Sequence, residues 1–475
     1  MNILILGAGK VGRALAEILS REPDNDVSVI DLDPDRVEQV KRHSEITALV
    51  GSACYESDLK KANIERADIV IACTRSDEIN LLACDVAKRM FGVPDCIARL
   101  HSEEFDNYMH RREMQSGSAY QIDQIIRPEG LITEQFLQLI LHTNALQVKK
   151  FVKDRLSLVA VRAVAGSRGG LMVGQDLRSL GQTLERKYLE TRVVAIYRQG
   201  QALEKISGET TIEQGDEVFF LAESNFIDEV IHEMHTEVRR PHHYIAIAGC
   251  TKIGISLAQI LEERTDIEQV KILDVDRNRC EMAADKLKSA IVLHGDAGDS
   301  NMFEVENLSH YDVFCALTED DEHNIMSAML ARQRGVRKVI ALVSNPVYSE
   351  LIESDKIDVL VSPAAITTSE LLQHIRGANV ELVHSLRYGL AEALEIVVQL
   401  NDAMASEDPV VGKRFKEIDL PPKVTVGAVV RGEEVFLQSA YLEKELRLEV
   451  NDRVVLFLSD REVLSQVAKL FSFHQ

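Results

Sequence analysis

The sequence has no apolar run of about 18 residues, so no segment reads as a helix that crosses a bilayer. It also lacks a basic start followed by an apolar stretch and a cleavage site. Met1 leads directly into the strand-like NILILG, as expected of a protein that is not secreted. Its seven cysteines (Cys54, Cys73, Cys84, Cys96, Cys250, Cys280 and Cys315) form no C-x-x-C pair, and most stand in apolar runs. They read as reduced, buried small hydrophobes of a cytosolic protein. Positive charge is short: 54 Lys and Arg face 76 Asp and Glu, a net charge of −22. That balance argues against a nucleic-acid backbone or a bare anionic membrane as partner. If the chain works at a membrane, another protein must hold it there.

The composition is that of a soluble globular chain, 45 % hydrophobic and 27 % charged. At 475 residues it is too long for one ordinary core. An internal repeat divides it. Gly7 recurs as Gly249, Asp31 in SVIDLDPDR as Asp274 in KILDVDRNR, Gly51 as Gly295, and Asn80 as Asn324. The offset stays near about 243 residues throughout, which means a duplicated domain rather than a solenoid of short repeats. Later segments repeat too: LMVGQDLRSL resembles PVVGKRFKEI, and EQGDEVFFLAE resembles EVNDRVVLFLSD. The polar HTEVRRPHH, with Pro241, reads as the linker between halves.

Each half opens with short, fully apolar runs (NILILG, VSVIDLD, ITALVGS, ADIVIACT and CIARL in the first) separated by amphipathic stretches. Such runs suit a parallel sheet buried on both faces, the βαβ pattern of a doubly wound α/β domain. Each half closes with a smaller module of about 80 residues, read as a compact α+β subdomain. The fold class is thus α/β: two tandem units, each a Rossmann-like domain followed by a small α+β subdomain.

Gly7, Ala8, Gly9, Lys10, Val11 and Gly12 follow a strand and open a helix. In the G-x-G-x-x-G pattern the first glycine permits the tight turn. The second lets the backbone approach a pyrophosphate, and the third lets helix and strand pack closely. The helix N-terminus then offers unpaired N–H groups to phosphate. Asp31 ends the next strand, where its carboxylate can accept ribose hydroxyls and would repel a 2′-phosphate. This favours NAD(H) or an adenine nucleotide over NADP. The bland alternative is a glycine turn in an empty domain. The second copy reads Gly249, Thr251, Lys252, Ile253 and Gly254, with Asp274 retained. Its middle glycine has become Thr251, whose Cβ would crowd a pyrophosphate. Either it binds a nucleotide in a shifted pose or it is structural.

Other stretches admit two readings. His232, His235, His242 and His243 could hold a metal or line a solvated linker face. TRSDE, at Thr74 to Glu78, follows the fourth strand, so it can bind ligand, cap the next helix, or do both. EDDE, at Glu319 to Glu322, could bind a cation or simply start a helix.

Several motifs carry a family resemblance: ILGAGKVG, TRSDEINLLAC, CIARL, GDEVFF, LTEDDEHNIMSAMLA, VHSLRYGLAEALE, LPPKVTVGAVVRG and VLFLSD. With them the chain resembles the cytosolic subunits of Trk-type potassium uptake systems, built from two RCK units (regulator of potassium conductance). The resemblance covers almost the whole chain. It implies N-subdomains over 1–124 and 242–360, crossover helices over 125–143 and 361–378, C-subdomains over 144–228 and 379–463, and a linker over 229–241. It implies that NAD(H), with ATP or ADP as competing ligands, binds the N-subdomains and alters gating of a TrkH-type pore. Carried over by position, the contacts are Gly7 to Gly12, Asp31, Cys73, Thr74 and Arg99. It further implies a homo-oligomeric ring, expected as a tetramer, held on the inner face of the membrane through the pore subunit. The crossover helices, EGLITEQFLQLILH and AAITTSELLQHIR, are amphipathic enough to be exchanged between protomers or halves, or to pack on their own domains.

The chain departs from the family at Gly51-Ser52, where Gly-Asp is frequent, and at Leu342, which matches Arg99. Two unequal sites are expected, the first dominant. An NAD-dependent oxidoreductase is the main rival. It needs an acid or base placed against the nicotinamide, and the small modules share few polar residues that match. A regulator of another cation transporter is the third reading. The expected chemistry is therefore sensing: no enzyme, with nucleotides shifting populations between conformations.

Overall fold

The computed structural model describes residues 1–21, 25–42, 46–102, 121–142, 144–164, 172–187, 189–234, 243–345, 347–348, 352, 356–375, 380–386, 391–400, 410–437, 445–460 and 463–471. His235 and His242, and most of the linker segment, lie outside them.

In the first half, strands β1 (Asn2–Leu6), β2 (Asp26–Asp31), β3 (Ile46–Val50), β4 (Ile69–Ala72), β5 (Asp95–Arg99) and β6 (Gln124–Ile126) form one parallel sheet in the order 3-2-1-4-5-6. That is a doubly wound order, and the doubly wound class is the one expected from the apolar runs. Leu4, Leu6, Val70 and Ala72 bury against Cys84, Cys96 and Leu81. The helix Asp77–Phe91 begins where the Ser76 hydroxyl accepts the Ile79 N–H and ends at left-handed Gly92.

The first small module is an antiparallel sheet of β7 (Ala145–Phe151), β8 (Leu156–Arg162), β9 (Thr191–Arg198), β10 (Gln201–Ala202) and β11 (Glu217–Glu223). The second half repeats both sheets. β12 (Tyr244–Ala248), β13 (Gln269–Asp274), β14 (Ile291–His294), β15 (Val313–Ala316), β16 (Lys338–Leu342) and β17 (Val359–Val361) form the parallel one. β18 (Val380–Leu386), β19 (Ala391–Val397), β20 (Val424–Arg431), β21 (Glu434–Phe436) and β22 (Arg453–Leu458) form the antiparallel one.

The chain divides into two compact units that do not coincide with its halves. One holds Met1–Leu131 together with the helix Pro363–Ile375, which packs against the helix Lys10–Leu19 and reaches β6. The other starts at Ile132, inside the helix Pro128–Leu141. There Lys338, at the start of β16, donates from Nζ to the carbonyls of Leu139, His142 and Ala145 at 2.5, 3.1 and 3.1 Å. The two amphipathic helices thus each serve the parallel sheet of the other half.

The second unit also joins the two antiparallel sheets. Phe219 meets Phe457 at 5.6 Å between ring centroids, and Leu221 lies so close to Gly427 that a Cβ there would stand 2.3 Å from its Cδ1. Buried Glu395 accepts the Val152 N–H at 2.7 Å and pairs with Arg453 at 2.5 Å. Among the described residues all seven cysteines are free and six are buried, Cys54 being half-buried. No described helix is long and apolar enough to cross a membrane.

Candidate nucleotide site

The first glycine turn sits at the carboxyl edge of the first parallel sheet. Gly7 has φ +112°, a conformation L side chains rarely adopt, and its N–H donates to Ile30 O at 2.8 Å. A Cβ on Gly12 would stand 1.9 Å from Gly7 O, so the third glycine is required by helix–strand packing. Gly9 differs. A Cβ there would meet nothing within 4 Å, and no side chain caps the helix Lys10–Leu19 that it opens. The helix N-terminus is left as an anion site should be.

Asp31 ends β2 as the spacing requires. Its Oδ2 accepts the Ala8 N–H at 2.6 Å, its Oδ1 accepts the Asp33 N–H at 2.9 Å, and Arg36 approaches at 3.9 Å. The carboxylate therefore shapes the glycine turn as well as facing the sheet edge. Each oxygen keeps a second lone pair for a hydroxyl. Leu32, which follows it, is 69 % exposed, and its counterpart Val275 is 59 % exposed.

Cys73 lies under the turn, with its Sγ 3.6 Å from Gly7 O. Burial pushes its thiol up to about 11, while the nearby Arg99 charge pulls the other way. This makes Cys73 packing rather than a nucleophile. Thr74 spends its hydroxyl on the loop: it donates to Asn80 Oδ1 at 2.7 Å and accepts the Ser76 N–H at 3.3 Å. Asn80, fully buried, accepts the Thr74 N–H at 2.9 Å and donates to Arg99 O at 2.7 Å. One buried amide thus ties the β4 and β5 ends together. Sequence reasoning noted its recurrence without giving it this task.

The second turn keeps the backbone and changes the donors. Gly249 has φ +113°, and a Cβ on Gly254 would stand 2.1 Å from Gly249 O. The Cys250 N–H donates to Asp274 Oδ2 at 2.8 Å, as Ala8 does to Asp31. Thr251 takes the N-cap position of the helix Lys252–Glu262. Its hydroxyl accepts the Gly254 N–H at 3.2 Å and donates to Leu317 O at 3.0 Å. Lys252 and Ile253 follow it within that helix. Asn324 repeats the Asn80 brace on Thr318 and Leu342. The cysteines Cys250 and Cys280 lie within hydrogen-bonding reach, and burial drives both thiols up.

The two acidic stretches serve the backbone. Asp320 caps the helix Asp321–Gln333 and Asp321 accepts the Ser344 and Asn345 N–H groups. Glu319 pairs with Arg279, and Glu322 accepts the Tyr348 hydroxyl. In TRSDE, Ser76 is the cap and Asp77 accepts the His101 and Ser102 N–H groups. Among the described residues no group of three His, Cys, Asp or Glu is placed to hold a metal ion.

The TrkA-N domain model matches residues 3–128 and 245–363, the two parallel-sheet domains. The Trk system potassium uptake protein TrkA of Halomonas elongata is 40 % identical over 471 residues, 99 % of this chain and 98 % of that protein. The chain belongs to the TrkA family. The TrkA protein of Vibrio alginolyticus is 39 % identical over the same share of both chains. Among solved structures, the GsuK RCK domain has a TM-score of 0.59 at 16 % identity, covering 99 % of this chain and 95 % of that one. The GsuK channel bound to NAD has a TM-score of 0.58 at 16 % identity, covering 99 % and 79 %. The tandem RCK fold of this TrkA-family chain is thus shared with proteins that have little of its sequence.

Proposed function

We propose that the chain is the cytosolic regulatory subunit of a potassium-uptake system and that it senses nucleotides at its first glycine turn. NAD(H) binds there, and ATP or ADP competes. The observation that carries this is the contrast at one position: Gly9 leaves a helix N-terminus uncapped, while Thr251 fills the same place in the repeat with its own hydroxyl. A ring of four chains transmits the change to a TrkH-type pore at the membrane. Two ligands move such a ring in different directions only if each prefers a different conformation.

The relatives named for potassium uptake support the transport half of this reading. The RCK neighbour described as bound to NAD supports the nucleotide half. Asp31, beside the first turn, and Asp77, beyond β4, already accept backbone N–H groups, which favours a sensor over a dehydrogenase base.

The test is potassium flux into liposomes carrying a TrkH-type pore, with this protein added and ATP, ADP or NADH varied. Flux that depends on nucleotide, and loses that dependence in Gly9→Thr, is the expected result. Flux indifferent to the protein and to every nucleotide overturns the reading.

A further inference from the structure

Arg99 ends β5, and its Nη2 stands 2.7 Å from His101 Nε2. A guanidinium has donors and no acceptor, so His101 Nε2 accepts. The ring proton is then on Nδ1, where His101 donates to Glu129 Oε1. These bonds run in one direction, from Arg99 through His101 to Glu129. The backbone beneath them is pinned. Asn80 donates to Arg99 O, and Asp77 accepts the His101 N–H at 2.9 Å and the Ser102 N–H at 2.8 Å. Arg99 Nε is buried and has no hydrogen-bond partner among the described residues. β5 pairs with β4 and β4 with β1, and Cys73, just past the end of β4, touches Gly7 O, so Arg99 stands on the sheet edge that carries the glycine turn. Glu129 is the second residue of the helix Pro128–Leu141.

The repeat separates this arrangement from the needs of the fold. The corresponding residues there are Leu342, Ser344 and Ala364. The backbone braces nevertheless remain: Asn324 donates to Leu342 O at 2.9 Å, and Asp321 accepts the Ser344 N–H at 2.9 Å. The same loops form without the three side chains.

We propose that Arg99, His101 and Glu129 form a relay that couples a phosphate held by Arg99 to the first turn of the helix Pro128–Leu141. This rests on the nucleotide-sensing reading above. Glu129 selects the Nδ1–H tautomer of His101, the bare Nε2 holds the guanidinium in one orientation, and Arg99 meets the phosphate already placed. A phosphate on Arg99 is thereby linked to Glu129 through the same two hydrogen bonds. His101 and Glu129 are positioning residues, and Arg99 is the contact.

The test is calorimetric titration of the full chain with adenosine, ADP and ATP. His101→Leu and Glu129→Ala should each weaken ADP and ATP about three- to tenfold and leave adenosine unchanged, which a merely structural role would not do. The double variant should lose no more than either single one, and both should be silent on an Arg99→Ala background. His101→Gln, whose amide both accepts and donates, should bind ADP within about twofold of wild type. Should His101→Leu not fold, the Glu129→Ala and Arg99→Ala pair carries the same cycle. Losses that multiply independently, or variants that bind ADP as wild type does, overturn the relay alone. A wild-type chain that binds none of the three overturns the relay together with the nucleotide-sensing reading.

Discussion

The hydroxyl of Thr251 accepts the Gly254 N–H at 3.2 Å, whereas Gly9, at the corresponding place, offers Gly12 no side-chain acceptor. The second copy of the motif closes its own helix start with a side chain, and the first does not. Gly9→Thr should reproduce that closure in the first half. A Cβ at Gly9 meets nothing within 4 Å and the backbone there has φ −69°, so the variant should fold with a nearly unchanged melting temperature. Its affinity for NADH should fall at least about tenfold, the equivalent of about 1.4 kcal/mol. Equilibrium dialysis beside a thermal melt checks both parts.

Gly12→Ala should behave in the opposite way. Its Cβ would stand 1.9 Å from Gly7 O, and that carbonyl belongs to the turn itself. Overpacking of this kind costs about 1–3 kcal/mol, so urea unfolding should shift clearly while Gly9→Ala stays near wild type. Equal midpoints for the two variants would contradict the assignment of separate tasks to the two glycines.

Much of this was legible in the sequence. The repeat, the apolar runs and the glycine spacing led directly to two doubly wound sheets, because strand burial and tight turns leave local signatures. The amphipathic helices 128–141 and 363–375 announced a need for a partner, but an apolar face does not say which sheet will cover it. Thr251 reads in the sequence as a crowding Cβ; its cap on the Gly254 N–H is local, while its second bond, to the carbonyl of Leu317, spans 66 residues. Lys338 and Glu395 were silent because each is a buried polar group whose partners lie far along the chain, and Asn80 showed only as a repeated residue because its bond to Arg99 O crosses to the next strand. Their burial is made affordable only by tertiary hydrogen bonds that no local pattern encodes.

Lys338 gives the first long-range prediction. Its ammonium donates to three carbonyls at and just beyond the end of the helix Pro128–Leu141, and burial lowers it to about 8 while Asp358 pulls it back up. Lys338→Met would take this donor from all three carbonyls, of which His142 O keeps the Ala145 N–H at 3.3 Å. Unsatisfied buried groups cost about 1–3 kcal/mol each, partly offset by no longer burying a charge. A net loss of about 2 kcal/mol in urea unfolding is expected. Limited proteolysis should also cut within 128–145 faster than it does in wild type.

His384 sets an acid limit on the second unit. Its Nε2–H donates to Lys150 O at 3.0 Å, and its ring packs edge-on against Phe151 at 4.9 Å. Burial, reinforced by the Lys149 charge, pushes its imidazole down to about 3, against the bond to Lys150. The folded state therefore keeps this ring neutral while the unfolded chain protonates it at an ordinary value near 6.5. Between those two values the unfolded state binds the extra proton, so stability is complete above the upper one and falls as pH drops through the window. The slope from this single group is at most about 1.4 kcal/mol per pH unit. His384→Phe keeps an aromatic edge for Phe151 and removes the titration. Its stability relative to wild type should rise steadily from pH 6.5 to pH 4, measured as paired urea midpoints, and a constant difference across that range would place the acid sensitivity elsewhere.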